Sequence, residues 1–193
     1  MSAFEFFFSF YGLLLGLSVA VIATGLATAI QHRKKVRIGR LTPLLATFVA
    51  LDIATFWDSA WTNFRDMPFS YGLLVAGLAV ALVYFIAATL VFPHQIEDGD
   101  SLDDHFWANK RIVLLLLVAA NGLGVLMMVW ASIGKPGGLG TMLTYAANMV
   151  LYMALIVPAA LAKRARLVFW TVGAHVVIYL ILAVASALYP TPS

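Results

Sequence analysis

Apolar residues run along this chain in six blocks, at about residues 9–31, 41–62, 70–92, 112–133, 141–162 and 168–189. Short polar stretches separate them. Each block is close to the roughly 20 residues that a helix needs to cross a hydrocarbon core about 30 Å thick. Period-2 alternation is missing, which excludes a membrane β-barrel. The pattern predicts an all-α integral membrane protein: one domain over residues 1–193, folded as a bundle of six transmembrane helices. Turn chemistry supports the divisions. Lys135 to Gly138 reads KPGG between the fourth and fifth spans, and Pro190 and Pro192 follow the sixth.

Composition agrees with the pattern. The chain is 63% hydrophobic and 11% charged, where soluble domains carry nearer 25% charged residues. The opening MSAFEFFFSFYG lacks Lys, Arg and a small-residue cleavage site, so the first span is expected to be retained as a helix. Its Phe4, Phe6, Phe7, Phe8 and Phe10 suit an aromatic belt at one interface. The absence of cysteine excludes disulfide and thiol chemistry.

Charge then sets orientation. Arg33, Lys34, Lys35, Arg37 and Arg40 follow the first span, Lys110 and Arg111 precede the fourth, and Lys163, Arg164 and Arg166 follow the fifth. Only Arg65 and Lys135 fall on the other side. Positive residues collect in cytoplasmic loops, so both termini are expected on the non-cytoplasmic side of a cell inner (plasma) membrane, as in a bacterium. The basic balance is orientation, not a nucleic-acid signal.

Against this apolar background the second span holds LDIATFWDSAW, with two aspartates. On a helix Asp52, Thr55, Asp58, Ser59 and Thr62 share one face roughly 140° wide, which is expected to face the bundle interior. Trp57 and Trp61 lie on the other side and are expected toward lipid near the outer interface. Asp58 is about one turn from the span's outer end, but Asp52 falls near the midplane. A charge there costs at least ~2.5–3.5 kcal/mol, so Asp52 is expected to be neutral unless a partner holds it charged. No Lys or Arg lies at that depth. Polar residues at similar depth are Asn121 in the fourth span and Tyr84 in the third. The fifth carries a stripe of Thr141, Thr144, Tyr145, Asn148 and Tyr152, and the sixth a face of Thr171, His175 and Tyr179. The candidate polar core or pathway is therefore Asp52, Asn121, Asn148, His175, Tyr179 and Asp58. His175 is the one group in it able to become cationic. One reading makes the core a hydrogen-bonded device that fixes helix register. The other makes it a water-accessible relay for a proton or cation.

Small residues recur every four positions along the first span at Gly12, Gly16, Ala20, Thr24 and Thr28, which predicts a close helix contact. Met127, Met128, Met142, Met149 and Met153 are expected to fill the bundle core. The phrases FYGLLLG near Tyr11 and SYGLLVAG near Tyr71 resemble each other, and so small an alphabet favours coincidence over duplication.

The loop PHQIEDGDSLDDHFWANKR carries two histidines and five carboxylates, but matches neither a closed zinc pattern nor an EF-hand, and no metal is assigned. Asp98-Gly99 is expected to turn, and Ser101 to Asp104 to cap the fourth helix before it enters the membrane. Phe106 and Trp107 are expected at the interface, with Lys110 and Arg111 among headgroups. The loop's acidity predicts a contact with Arg33 to Arg40.

The chain lacks a phosphate-binding loop, a potassium-filter phrase, an H-E-x-x-H pair and a nucleophile arrangement. No Lys in the sixth span can form a retinal Schiff base, and bis-histidine haem ligation lacks a second intramembrane His. The cofactor stays unknown, a cofactor or substrate site being a third reading of the polar core, and an enzyme is the least supported class. Two others stay open: a channel or proton- or cation-coupled transporter, and a non-catalytic accessory or sensor subunit of a larger membrane complex. The expected partner is the lipid bilayer, joined by a second copy or another membrane protein, and not a nucleic acid. Reporter fusions after Gln31 and after Ala162 should both read cytoplasmic; a periplasmic signal from either breaks the six-span assignment.

Overall fold

The computed structural model describes residues 3–64, 70–133 and 137–188. Arg65, Lys135, Pro190 and Pro192 lie outside the described residues, as do the side chains of Phe4, Phe6 and Phe7. The chain forms six helices: α1 Ala3–Gln31, α2 Leu41–Phe64, α3 Tyr71–Thr89, α4 Leu102–Ser132, α5 Gly138–Leu161 and α6 Ala165–Leu188. All six are long and apolar enough to cross a membrane. The protein is an all-α, six-helix membrane bundle. Six spans return both termini to one end, called the terminal end below. The opposite end carries the α1–α2, α3–α4 and α5–α6 loops and is called the basic end.

The helices contact one another in the ring order α1, α3, α4, α5, α6, α2, with α2 also touching α3 and α4. Half of the apolar window of α2 is buried, against 17% for α5, so α2 is the central helix. Small residues permit its close approaches. The Phe56 ring lies 2.5 Å from where a Cβ on Gly124 would sit, and Trp57 lies 2.8 Å from the corresponding point at Gly12. Only glycine leaves room for those rings. Trp57 therefore packs on α1 and not toward lipid, while Trp61 is exposed.

The small-residue stripe of α1 divides in the same way. Gly12 is a close contact, but Gly16 has open space around its Cα. Ala20, Thr24 and Thr28 line a groove against α3 instead of a tight seam. The helix buries Tyr11, Leu15, Ser18, Ile22 and Ala29, a face beside the stripe. Tyr71, the counterpart of buried Tyr11 in the repeated phrase, is 80% exposed, so the two phrases do not share a packing role. Of the methionines, Met128 is buried, Met127 and Met149 pack partly against the core, and Met153 faces outward.

The basic end is closed by specific contacts. Arg37 N–H donates to Asp100 O at 3.0 Å and Leu102 N–H to Arg37 O at 3.0 Å, a short parallel bridge between two loops. Gly99 N–H donates to Lys35 O at 2.9 Å. The Lys35–Asp98 ion pair at 3.0 Å is the acidic-to-basic loop contact that the charges predicted. Both side chains are exposed, so its net worth is about 0–1 kcal/mol. Gly39 turns with φ +66° under the Asp103 carboxyl, where any Cβ would overlap it. Ser101 is at the N-cap of α4 as expected, but its side chain makes no capping bond; its backbone sits in the bridge instead.

Lys110 departs from the headgroup position expected of it. It is 4% exposed, and its Nζ donates to Ala159 O at 2.8 Å and Ala160 O at 2.9 Å, over the Trp107 ring. The last carbonyls of a helix lack intrahelical donors, and a cation there also meets the negative end of the helix dipole. Lys110 thus caps α5 and ties it to α4. Phe106 is buried with it, not interfacial.

Gly12→Leu should lower the melting temperature in detergent, because the added side chain would overlap the Trp57 ring and force it from α1, whereas Gly16→Leu should leave it unchanged. Equal losses would return the whole stripe to a single seam.

Candidate functional site

Asp52 sits eleven residues into α2, ~16 Å from the basic end at 1.5 Å per residue, and is 1% exposed. It points inward. Its carboxylate accepts four hydrogen bonds from four different helices. Tyr179 Oη of α6 donates to Oδ1 at 2.5 Å. Asn121 Nδ2 of α4, Tyr84 Oη of α3 and Tyr152 Oη of α5 donate to Oδ2 at 2.8, 3.1 and 3.4 Å. Asn121 Nδ2 also reaches Tyr84 Oη at 3.1 Å and the Leu117 carbonyl at 3.0 Å.

An ionised carboxylate has about four acceptor positions, two on each oxygen; the cage crowds three donors onto Oδ2 and places one on Oδ1. Burial and cage act in opposite senses. Removal from water disfavours the charged form, and hydrogen bonds to the carboxylate favour it. No Lys or Arg contacts Asp52 among the described residues. Its partners are hydroxyl and amide dipoles, and not the imidazole that depth and residue type suggested.

His175 lies beside the cage without a hydrogen bond to Asp52. Its ring makes edge contacts with Tyr179, Tyr152 and Phe48, at centroid distances of 4.8, 4.9 and 5.4 Å. It is 5% exposed, and its Nδ1 has no hydrogen-bond partner among the described residues. It lines a cavity of about 320 Å³ whose floor includes Asn121, Tyr152 and Tyr179 and whose rim is formed by Thr55, Val125, Asn148 and Leu182. Each rim residue is about one turn nearer the terminal end than the cage residue on its own helix. Thr55, Asn148 and Leu182 are exposed, so the cavity opens to the exterior of the bundle.

The opening follows from how α5 and α6 pack. On α6 the buried residues are Val168, Val172, His175, Val176 and Tyr179; everything from Leu180 to Leu188 is exposed. On α5, Tyr152, Ile156, Ala159 and Ala160 are buried, whereas Thr141, Thr144 and Asn148 are exposed. The backbones of α2 and α5 do not come into contact among the described residues. Side chains bridge them: Tyr152 to Asp52, and Tyr145 Oη to Asn63 Oδ1 at 2.6 Å. A second, smaller cavity of about 190 Å³, lined by Asn63, Ser132, Thr141 and Tyr145, continues the gap toward the terminal end.

Of the six candidate residues, Asp52, Asn121 and Tyr179 are hydrogen-bonded to one another through the carboxylate. His175 and Asn148 border the cavity. Asp58 is exposed on α2, ~9 Å further along the helix at 1.5 Å per residue, outside both cavities. Tyr84 and Tyr152 complete the cage but were not among the six. Their signal was present: each is a hydroxyl in an otherwise apolar midspan, where an unpaired polar group is costly.

Comparison with protein families, with characterised proteins and with solved structures finds no match. The site therefore stands on its own geometry.

Tyr179 is the sole donor to Oδ1, and Tyr152 is one of three at Oδ2. Tyr179→Phe should cost ~1.5–3 kcal/mol, as for a bond to a charged group. Tyr152→Phe should stay near the ~0.6 kcal/mol average for polar contacts within membranes. Denaturant unfolding in detergent micelles measures both; the reverse order contradicts an ionised Asp52.

Proposed function

We propose that this multi-pass membrane protein is a small proton-coupled carrier whose proton is taken up and released by Asp52. One observation carries the reading: a carboxyl at mid-membrane, 1% exposed and caged by four donors, lies behind the floor of a cavity that opens to the exterior of the bundle. Intramembrane acids mark ion and proton pathways. A register device needs the hydrogen bonds but not the cavity. Three of the four cage members are tyrosines, each able to donate or accept, so the network can keep its shape in either protonation state. The basic residues at the loop end support placing that end in the cytoplasm of a bacterial cell, with the terminal end facing outward. Tyr145 and Asn63, bonded to each other across the smaller cavity that they line, serve as the outer latch.

A second reading, an accessory or sensor subunit, is favoured by one feature. The terminal half of α6 presents exposed Leu180, Ile181, Val184 and Leu188, a face able to meet a second copy or another membrane protein.

Two measurements test the carrier reading. In infrared spectra of the protein in lipid, acidification should raise a protonated-carboxyl C=O band that Asp52→Asn lacks. In vesicles loaded with a pH dye, wild-type protein should move protons, and Asp52→Asn should slow that movement about tenfold or more, the effect of ~1.4 kcal/mol on the limiting step. Equal flux in a variant of unchanged oligomeric size and melting temperature overturns the reading.

A further inference from the structure

The three tyrosine hydroxyls of the cage each carry one proton. All three are spent on the Asp52 carboxylate. Both amide protons of Asn121 are engaged as well, since its Nδ2 serves Asp52, Tyr84 and the Leu117 carbonyl. What Tyr152, Tyr179 and Asn121 can offer the cavity they line is therefore oxygen lone pairs. His175 borders the cavity, and its Nδ1 is buried with no hydrogen-bond partner among the described residues. Asn148 on the rim adds an amide oxygen. The cavity is rich in acceptors, its floor stands directly before a carboxylate, and two of its walls are tyrosine rings.

Such a surface disfavours anions and offers little to a neutral acceptor. It suits a cation with several N–H donors, because lone pairs, a nearby carboxylate and aromatic faces all attract positive charge. The other walls, Val125, Met149, Leu151, Ile178 and Leu182, are apolar. A hydrated metal ion gains nothing from them. The volume, about 320 Å³, is at the small end of the range for small-molecule sites. We infer that the cavity between α2, α4, α5 and α6 is a binding site for a small organic ammonium ion with an apolar body, its nitrogen held by the cage oxygens and the Asn148 amide oxygen. This rests on the reading of Asp52 as a carboxyl that exchanges a proton, and it names the substrate class that would exchange against it.

Three probes of nearly equal shape isolate the charge: 2-phenylethylamine, 2-phenylethanol and phenylacetate. Calorimetric titration of the full-length protein in detergent at neutral pH should show the amine binding about tenfold or more tighter than the alcohol, equivalent to ~1.4 kcal/mol of preference for charge. Phenylacetate should give no measurable binding. Asp52→Asn should remove the preference for amine over alcohol. Asn148→Leu, on the exposed rim where folding is not at stake, should weaken the amine more than the alcohol. Equal binding of amine and alcohol to wild-type protein overturns the inference, as does no binding of the amine. Neither result touches the infrared band of Asp52, which is recorded without any amine. Loss of that band with amine-selective binding intact would remove the proton reading and leave the cation site.

Discussion

A carboxylate in the middle of a bilayer must be surrounded by donors, and in this protein that requirement organises the bundle. Asp52 is on the central helix, and each of its four donors comes from a different one of the helices α3, α4, α5 and α6. Lipid tails are as apolar as leucine, so burying apolar side chains does little to choose among helix arrangements. Polar groups do choose. Moving α6 along its axis by one turn would carry Tyr179 away from Oδ1 and leave a charge buried and under-satisfied. The glycines serve the same end: Gly124 lets Phe56 lie against α4, which brings Asn121 within 2.8 Å of the carboxylate.

The two ends of the bundle are built differently. At the basic end, loop pairing between residues 35–37 and 99–102, the Thr42 hydroxyl on the Leu102 carbonyl at 2.7 Å, and Lys110 on the end of α5 join α1, α2, α4 and α5. Toward the terminal end α5 and α6 present mostly exposed residues, and α2 meets α5 only through side chains. The bundle is thus tied together at the basic end and more loosely packed toward the terminal end. On the proposed carrier reading, the basic end must loosen as well. The buried charge of Lys110, held by two carbonyls, is the contact there that costs most to break.

The six spans were legible because the apolar blocks are long and the loops short, and the structure moves their edges by a few residues except at α4. There the helix starts at Leu102, ten residues before the apolar block, since the acidic stretch is helical but not apolar. Depth and face were legible for Asp52, whose position on the wheel and distance along the span both follow from helix geometry. Its partners were only partly so. Residue type singled out the imidazole of His175, yet which of several polar groups at one depth meet is decided by helix rotation. That rotation is set by contacts such as Phe56 on Gly124, which no single span reveals. Asp58 shows the limit from the other side. It shares the polar face of α2, but the splayed terminal halves of α5 and α6 leave that part of the face uncovered. The position of Lys110 could not be read from charge at all, since it depends on where α5 ends.

Protonation of Asp52 has a structural consequence for the cavity. A neutral carboxyl carries a proton that it must donate, and it accepts fewer bonds than the ion. One cage hydroxyl must then turn from donor to acceptor and point its own proton elsewhere. Tyr84 is enclosed, and its oxygen already accepts from Asn121. Tyr152 and Tyr179 border the cavity, so the displaced proton has room there. On the proposed reading, the same event that removes the negative charge behind the floor also converts a lone pair facing the cavity into a donor. Both changes repel an ammonium ion, and by linkage a bound ammonium ion makes protonation of Asp52 less favourable to the same degree. Exchange of proton for cation would thus require no moving part beyond one hydroxyl rotation at the site itself. The larger motion is needed only to change which end of the bundle is open.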